Sequence, residues 1–194
     1  MDFLRERLLT AAQQSVEAMQ FLTTPQAVTF MHDVATLLAD TFSSNHKVII
    51  AGNGGSLCDA AHFAEELTGY FRKRRKALPC IVLSEPGHLT CTANDSSFDE
   101  VFARGVEAFG QKADVFIGLT TSGQSKNLVR AVHEAKGRGL KTVCFLGKGG
   151  GALAGEADYQ LLVPSLQFSD RIQEVHMACL HMIIEGLELL MFGP

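Results

Sequence analysis

From Lys47 onward the chain repeats one alternation, a short apolar run followed by a stretch of helical character. The runs are Val48-Ile49-Ile50-Ala51, Pro79 to Ser84, Val115 to Leu119, Thr142 to Leu146 and a shorter one from Gln160 to Val163. Runs this short and this apolar fit strands buried on both faces, as in a parallel sheet with helices packed above and below. The intervening stretches predict a helix through Leu67, another to about Lys136, and a last one from about Asp170 to Leu190. Ser97-Phe98-Asp99-Glu100 has the spacing of a capping box and predicts a helix from there to about Phe109. Ahead of the alternation, Leu4, Leu8, Ala12, Val16 and Met19 recur at helical spacing, and Thr24-Pro25 caps a second helix carrying Val28, Met31, Ala35 and Leu38. The expectation is one domain over 1–194, with a helical arm at 1–45 and an α/β body at 46–194 ending in a C-terminal helix.

Composition removes several function classes. With 46% hydrophobic and 20% charged residues, the 194-residue chain has the balance of a folded domain rather than a disordered one. A formal charge of -4 gives no global field for nucleic acid or an anionic membrane. The basic run Arg72-Lys73-Arg74-Arg75-Lys76 is the local exception. It reads as a solvated helix end or loop, or as a rim that attracts an anionic substrate. Five cysteines, widely spaced and without a CxxC pair, do not form a secreted disulfide framework. The first residues alternate charge with apolar groups, unlike a signal peptide. The apolar stretch from Val175 to Phe192 is interrupted by His176, His181, Glu185 and Glu188, which argues against a membrane span. A cytoplasmic protein with neither nucleic-acid nor membrane partners is expected.

Open parallel sheets bind ligands beyond the carboxyl ends of their strands. Two loops belong there. Gly52-Asn53-Gly54-Gly55-Ser56 follows the first strand, where glycines admit a close ligand and a helix start favours anions. Leu57 stands where the dinucleotide fingerprint needs Gly or Ala, so only Glu85, after the second strand, supports a nicotinamide reading. Thr120-Thr121-Ser122-Gly123-Gln124-Ser125 follows the third strand; its hydroxyls and amides can hold a phosphate without a cation, or form an ordinary capped turn. No Walker A sequence is present. Among titratable groups, His62 and Glu66 share a helix face, with Glu65 close by, and spacing alone favours a surface pair. His176 and His181 lie among apolar residues of the last helix and fit satisfied core histidines as well.

Longer motifs carry a resemblance. Gly52-Asn53-Gly54-Gly55-Ser56-x-Cys58-Asp59-Ala60-x-His62-Phe63-Ala64-Glu65-Glu66-Leu67-Thr68-Gly69, Asn94-Asp95, Thr121-Ser122-Gly123-x-Ser125 and Asp170-Arg171-Ile172-Gln173-Glu174-x-His176 are similar to the bacterial sedoheptulose 7-phosphate isomerase (phosphoheptose isomerase) family across nearly the whole chain. The resemblance implies a sugar-isomerase (SIS) domain with a flavodoxin-like, five-stranded parallel sheet. It also implies a homotetramer with sites between subunits and a product destined for heptose nucleotides. By position it makes Glu66 the catalytic base and His181 its acid–base partner. It assigns one zinc per subunit to His62, Glu66, Gln173 and His181. Substrate would meet Asn53, Gly54, Gly55, Ser56, Glu66, Asn94, Asp95, Thr120, Thr121, Ser122, Ser125, Asp170 and Gln173. Leu57 and Tyr70 depart from the pattern, where histidine and arginine can occur. Some proteins of this fold are instead non-catalytic regulators that bind a protein or sense a phosphosugar; the relative that binds a replication initiator lacks both Glu66 and His181 equivalents.

Overall fold

A computed structural model describes residues 2–164 and 168–193. Five strands form one sheet: β1 (Val48–Gly52), β2 (Cys80–Val82), β3 (Val115–Thr120), β4 (Lys141–Leu146) and β5 (Tyr159–Leu162). Their order is β2-β1-β3-β4-β5, and every pairing is parallel, with Ile50 opposite Ile117 and Gly52 opposite Leu119. This is the flavodoxin-like order. Successive side chains of a strand point to opposite faces. Val48, Ile50, Ile117, Leu119, Val143 and Phe145 enter one core, while Ile49, Ala51, Phe116, Cys144 and Leu146 enter the other. Burial on both faces explains why the strands read as unbroken apolar runs.

The first core is covered by α2 (Pro25–Ser43), α3 (Gly55–Thr68) and α7 (Ser169–Phe192), with α1 (Phe3–Gln20) against α7; the second lies beneath α5 (Val101–Phe109) and α6 (Lys126–Gly137). Thr24 caps α2 by accepting from the Ala27 amide, and Pro25 occupies the first helical position, where its missing N–H is harmless. The α1 arm is different. Phe3, Leu4, Leu8, Leu9 and Val16 are exposed, and Ala18 is its buried residue. Among the described residues α7 is the one helix long and apolar enough to cross a membrane. Ile172, Val175, Cys179, Leu180, Ile183 and Leu187 bury one of its faces in the first core.

Three local expectations change. Ser97 makes no capping hydrogen bond: Phe98–Glu100 form a 3₁₀ turn and α5 begins only at Val101. Glu100, which a capping box would turn back toward Ser97, pairs with Arg130 instead. A further helix, α4 (Pro86–Asp95), follows β2, and it buries no residue, so no apolar period announced it. Glu85 caps it through both carboxylate oxygens, to Gly87 N at 2.9 Å and His88 N at 2.5 Å, which holds that carboxyl below its usual range. The basic run also divides. The Arg75 side chain is 3% exposed, pairs with Glu188 at 2.7 Å, and donates to the carbonyls of Glu66 and Leu67 at 2.7 and 2.8 Å. It satisfies the open carbonyls at the end of α3, a structural task outside both sequence readings. Arg72 stays half in solvent, pairs with Glu185 at 2.5 Å and lies over the Phe71 ring.

Candidate active site at the carboxyl ends of the strands

The Gly52–Ser56 loop turns β1 directly into α3. Gly54 has φ of 56°, a left-handed conformation that glycine takes at no steric cost. The side-chain amide of Gln173, reaching over from α7, lies so close to Gly55 that an added Cβ would stand 2.7 Å from its Nε2. Asn53 and Asn127 exchange two amide hydrogen bonds, of 3.0 and 2.9 Å. That pair ties the loop after β1 to the start of α6, and Asn127 is a buried residue that no sequence signal singled out.

In the Thr120–Ser125 loop, Thr120 Oγ1 accepts from the amides of Ser122 and Gly123 at 3.4 and 3.2 Å. Ser122 Oγ accepts from Gln124 N at 3.2 Å. Ser125 occupies the N-cap of α6 but makes no side-chain capping bond; its hydroxyl lies 3.5 Å from that of Thr120. The loop therefore brings three hydroxyls and a helix start together, with the amides of Ser122, Gly123 and Gln124 turned onto its own hydroxyls. A third glycine-rich loop, Gly147 to Gly151, leaves β4 on the same sheet edge and packs against it. Four glycines after a strand were its signal, and the sequence reading passed over them.

Beside these loops α3 and α7 lie together and bring His62, Glu66 and His181 into one cluster. His62 Nε2 is 3.2 Å from Glu66 Oε1, and the two imidazole rings meet edge to face at 5.0 Å. Phe71 stacks on His181 at 5.8 Å. One donor atom from each of the three residues lies within 4.8 Å of the others. All three come from one chain. Glu66 is 15% exposed against 65% for Glu65, whose nearest oxygen is 3.8 Å from His62. The Gln173 amide sits at Gly55, about two turns before His62 on α3.

Burial holds the His181 imidazole below its usual value, helped by the charges of His62 and Arg72 and opposed by Glu66. Asp59, one turn before His62, has its carboxyl pushed up to about 6 by burial, against a lowering by His62, and its Oδ2 is buried without a hydrogen-bond partner. At the end of α4, Asn94 donates to Asp95 at 2.8 Å. That bond, with one from Cys91, holds the Asp95 carboxyl low. Asp170 is exposed in the first turn of α7. Among the described residues no hydrogen bond or ion pair joins Asn94, Asp95 or Asp170 to His62, Glu66 or His181.

The sequence model of the SIS domain family matches residues 13–147. The phosphoheptose isomerase of Fusobacterium nucleatum is 56% identical over 159 residues, 82% of this chain and 81% of its own length. That of Sodalis glossinidius is 44% identical over 187 residues, 96% of this chain and 95% of its own. The solved phosphoheptose isomerase of Neisseria gonorrhoeae is 31% identical and superposes with a TM-score of 0.86, covering 95% of this chain and 98% of that one.

Proposed function

This chain belongs to the phosphoheptose isomerases of the SIS-domain family, and from that premise we propose how its residues perform the isomerisation. The substrate is a ketose phosphate of seven carbons, sedoheptulose 7-phosphate, and the product its aldose, D-glycero-D-manno-heptose 7-phosphate. The reaction moves one proton between adjacent carbons through an enediolate. Glu66, whose side chain is largely withdrawn from solvent, takes the proton from C1 and returns it to C2. His181, in edge contact with the His62 ring and with its imidazole held below its usual range by burial, exchanges protons with the substrate oxygens and assists ring opening. The single observation that carries this reading is the convergence of His62 and Glu66, on the helix that follows the Gly52–Ser56 loop, with His181 of α7.

Two imidazoles and a carboxylate are the nitrogen and oxygen donors that zinc prefers, so the cluster fits a divalent cation. His62, Glu66 and His181 would hold one ion per subunit, with Gln173 as the fourth ligand that the family pattern implies. Such an ion supplies a Lewis acid for negative charge on the substrate oxygens. The phosphate belongs on Thr120, Thr121, Ser122 and Ser125. Asn53, Gly54, Gly55, Ser56 and Gln173 line the sugar from the first loop, and Asn94, Asp95 and Asp170 complete the rim.

The assembly we propose is a homotetramer. The exposed apolar residues of α1, together with Met182, Leu189, Leu190 and Phe192 of α7, form faces that a second copy would cover. Sites shared between subunits would bring the distant rim residues onto the cluster. A monomer in light scattering at micromolar concentration overturns this part. All five cysteines are free, which suits the cytoplasmic setting included in the proposal; recovery in a periplasmic fraction would contradict it. The test of function is aldose formation from sedoheptulose 7-phosphate with and without a chelator. Turnover that the chelator abolishes and zinc restores is expected. A folded chain inert toward this sugar phosphate, with zinc supplied, sinks the reading.

A further inference from the structure

The loop after β4 reads Gly147-Lys148-Gly149-Gly150-Gly151. Lys148 has φ of 48°, and Gly149, Gly150 and Gly151 follow at 82°, 80° and 54°. Positive φ is natural for the glycines and unfavourable for a lysine, whose Cβ crowds its own carbonyl. The close packing accounts for the glycines. A Cβ on Gly147 would stand 2.8 Å from Thr121 O, one on Gly151 would stand 2.6 Å from Ser122 O, and one on Gly123 would stand 1.7 Å from Gly150 O. The two loops therefore lie backbone on backbone, and a single side chain is kept at a strained position among four glycines. A strained residue held this way points to what its side chain does.

That side chain reaches the phosphate loop. Lys148 Nζ donates to Ser169 Oγ at 3.1 Å, in the first turn of α7. Thr121 donates its hydroxyl to the same oxygen at 3.3 Å. The ammonium is thus one bridging hydroxyl away from a loop of hydroxyls and amides. An ammonium has three donors, and among the described residues Ser169 uses one, leaving two for an incoming anion. Lys148 is also exposed, so a ligand can approach it from solvent.

We propose that Lys148 is the cationic side chain of the phosphate subsite, docked on Ser169 and poised to pair with a phosphoryl oxygen bound at Thr120 to Ser125. It makes the site select a phosphorylated sugar over the free sugar. The inference rests on the proposed phosphate role of that loop. Lys148→Gly is the decisive variant, because glycine relieves the positive φ while deleting the ammonium. A charge-assisted hydrogen bond lost from an anion site lowers affinity by about 10- to 100-fold. Calorimetry with inorganic phosphate should show a loss of that size in Lys148→Gly, and KM for sedoheptulose 7-phosphate should rise with it while kcat stays within a few-fold. The thermal midpoint should hold or rise. Lys148→Arg should recover most of the binding, and Lys112→Gln, a surface lysine before β3 at the other end of the sheet, should change nothing. Unchanged phosphate affinity in Lys148→Gly, or a fall in kcat without one in affinity, overturns the proposal. If the parent binds inorganic phosphate, loses it in Lys148→Gly, and yet leaves the sugar phosphate untouched, the Lys148 assignment stands and the isomerase reading fails.

Discussion

At the amino ends of the strands, Asp114 is fully buried and every interaction around it favours its charge. It accepts from Lys47 N at 3.0 Å, Lys47 Nζ at 2.5 Å and Gln111 N at 2.9 Å, with His46 at 3.4 Å. Burial opposes ionisation there, yet the Lys47 and backbone hydrogen bonds outweigh it and hold the carboxyl low. Asp158 does the same for β4, accepting from Thr142 N and Oγ1, both at 2.8 Å. At the carboxyl ends, Asp59 is also drawn out of water, but its Oδ2 has no partner and its carboxyl rises to about 6. One end uses carboxylates to close the sheet. The other leaves a buried carboxylate oxygen, Asp59 Oδ2, unsatisfied among the described residues. The difference separates the residues that hold the fold from those that must meet a ligand.

The sharpest break in that comparison should come at the cluster. Glu66→Gln keeps shape and cannot accept a proton, so kcat should fall by at least about 10²-fold, the lower end of general-base contributions. Glu65→Gln, one position round the helix and exposed, should stay within a few-fold of the parent. Both should melt with the parent. Steady-state kinetics on the pair decides it: full activity in Glu66→Gln, or loss confined to Glu65→Gln, would falsify the assigned base.

The opposite end should respond in the opposite way. Asp114→Ala removes the partner of Lys47, whose side chain is 20% exposed, and frees three backbone and side-chain donors. Breaking such a buried pair costs about 3 kcal/mol. For a chain of this size that lowers the thermal midpoint by roughly 6–12 °C. Turnover per folded molecule should be unchanged at low temperature. A variant as stable as the parent but catalytically impaired would erase the division between the two ends.

How much of this was legible follows from what each residue faces. The strands were, because burial on both faces makes runs such as Val48 to Ala51 continuously apolar. The two loops were, because glycines and hydroxyls after a strand have few other uses. Helix α4 was not: none of its residues is buried, so its sequence marks were the cap Glu85, a residue equally readable as a ribose ligand, and Pro86 after it. Arg75 was hidden inside a basic run whose other members face solvent, since composition does not reveal which of five cations turns inward. Spacing paired His62 with Glu65 and Glu66 alike, and only the family resemblance chose between them. Lys148 was invisible because its meaning lies in a backbone angle and a contact 21 residues away.

A smaller effect sharpens the electrostatic side of the comparison. His176 lies in the core under the carboxyl end of β4, with its Nε2 3.3 Å from Leu146 O and its Nδ1 without a partner. Burial pushes its imidazole down to about 4, with the Leu146 bond resisting. The unfolded chain takes up this proton near pH 6.5, before the folded one does. Stability should therefore fall as pH drops from about 6.5 to 4, by up to about 3 kcal/mol from this residue. Denaturant midpoints across that window should show the slope in the parent and a shallower one in His176→Gln, which does not titrate. Equal slopes would mean that the buried imidazole carries no linkage.

The smallest expected change tests whether a residue at a helix start belongs to the fold or to the ligand. A serine at an N-cap ordinarily accepts from an amide two or three residues on, and its loss costs about 1 kcal/mol. Ser125 makes no such bond; the described contact of its hydroxyl is the long one to Thr120. Ser125→Ala should therefore leave the thermal midpoint within about 2 °C of the parent. In the proposed phosphate site the same hydroxyl donates to a phosphoryl oxygen. One hydroxyl hydrogen bond of about 1 kcal/mol corresponds to roughly a fivefold loss of affinity. Calorimetry should register that loss for inorganic phosphate and for the sugar phosphate alike, because both present the same group to the loop. A lowered midpoint with unchanged phosphate affinity would assign Ser125 to the helix, and the loop would then hold its ligand through Thr120, Thr121 and Ser122 alone.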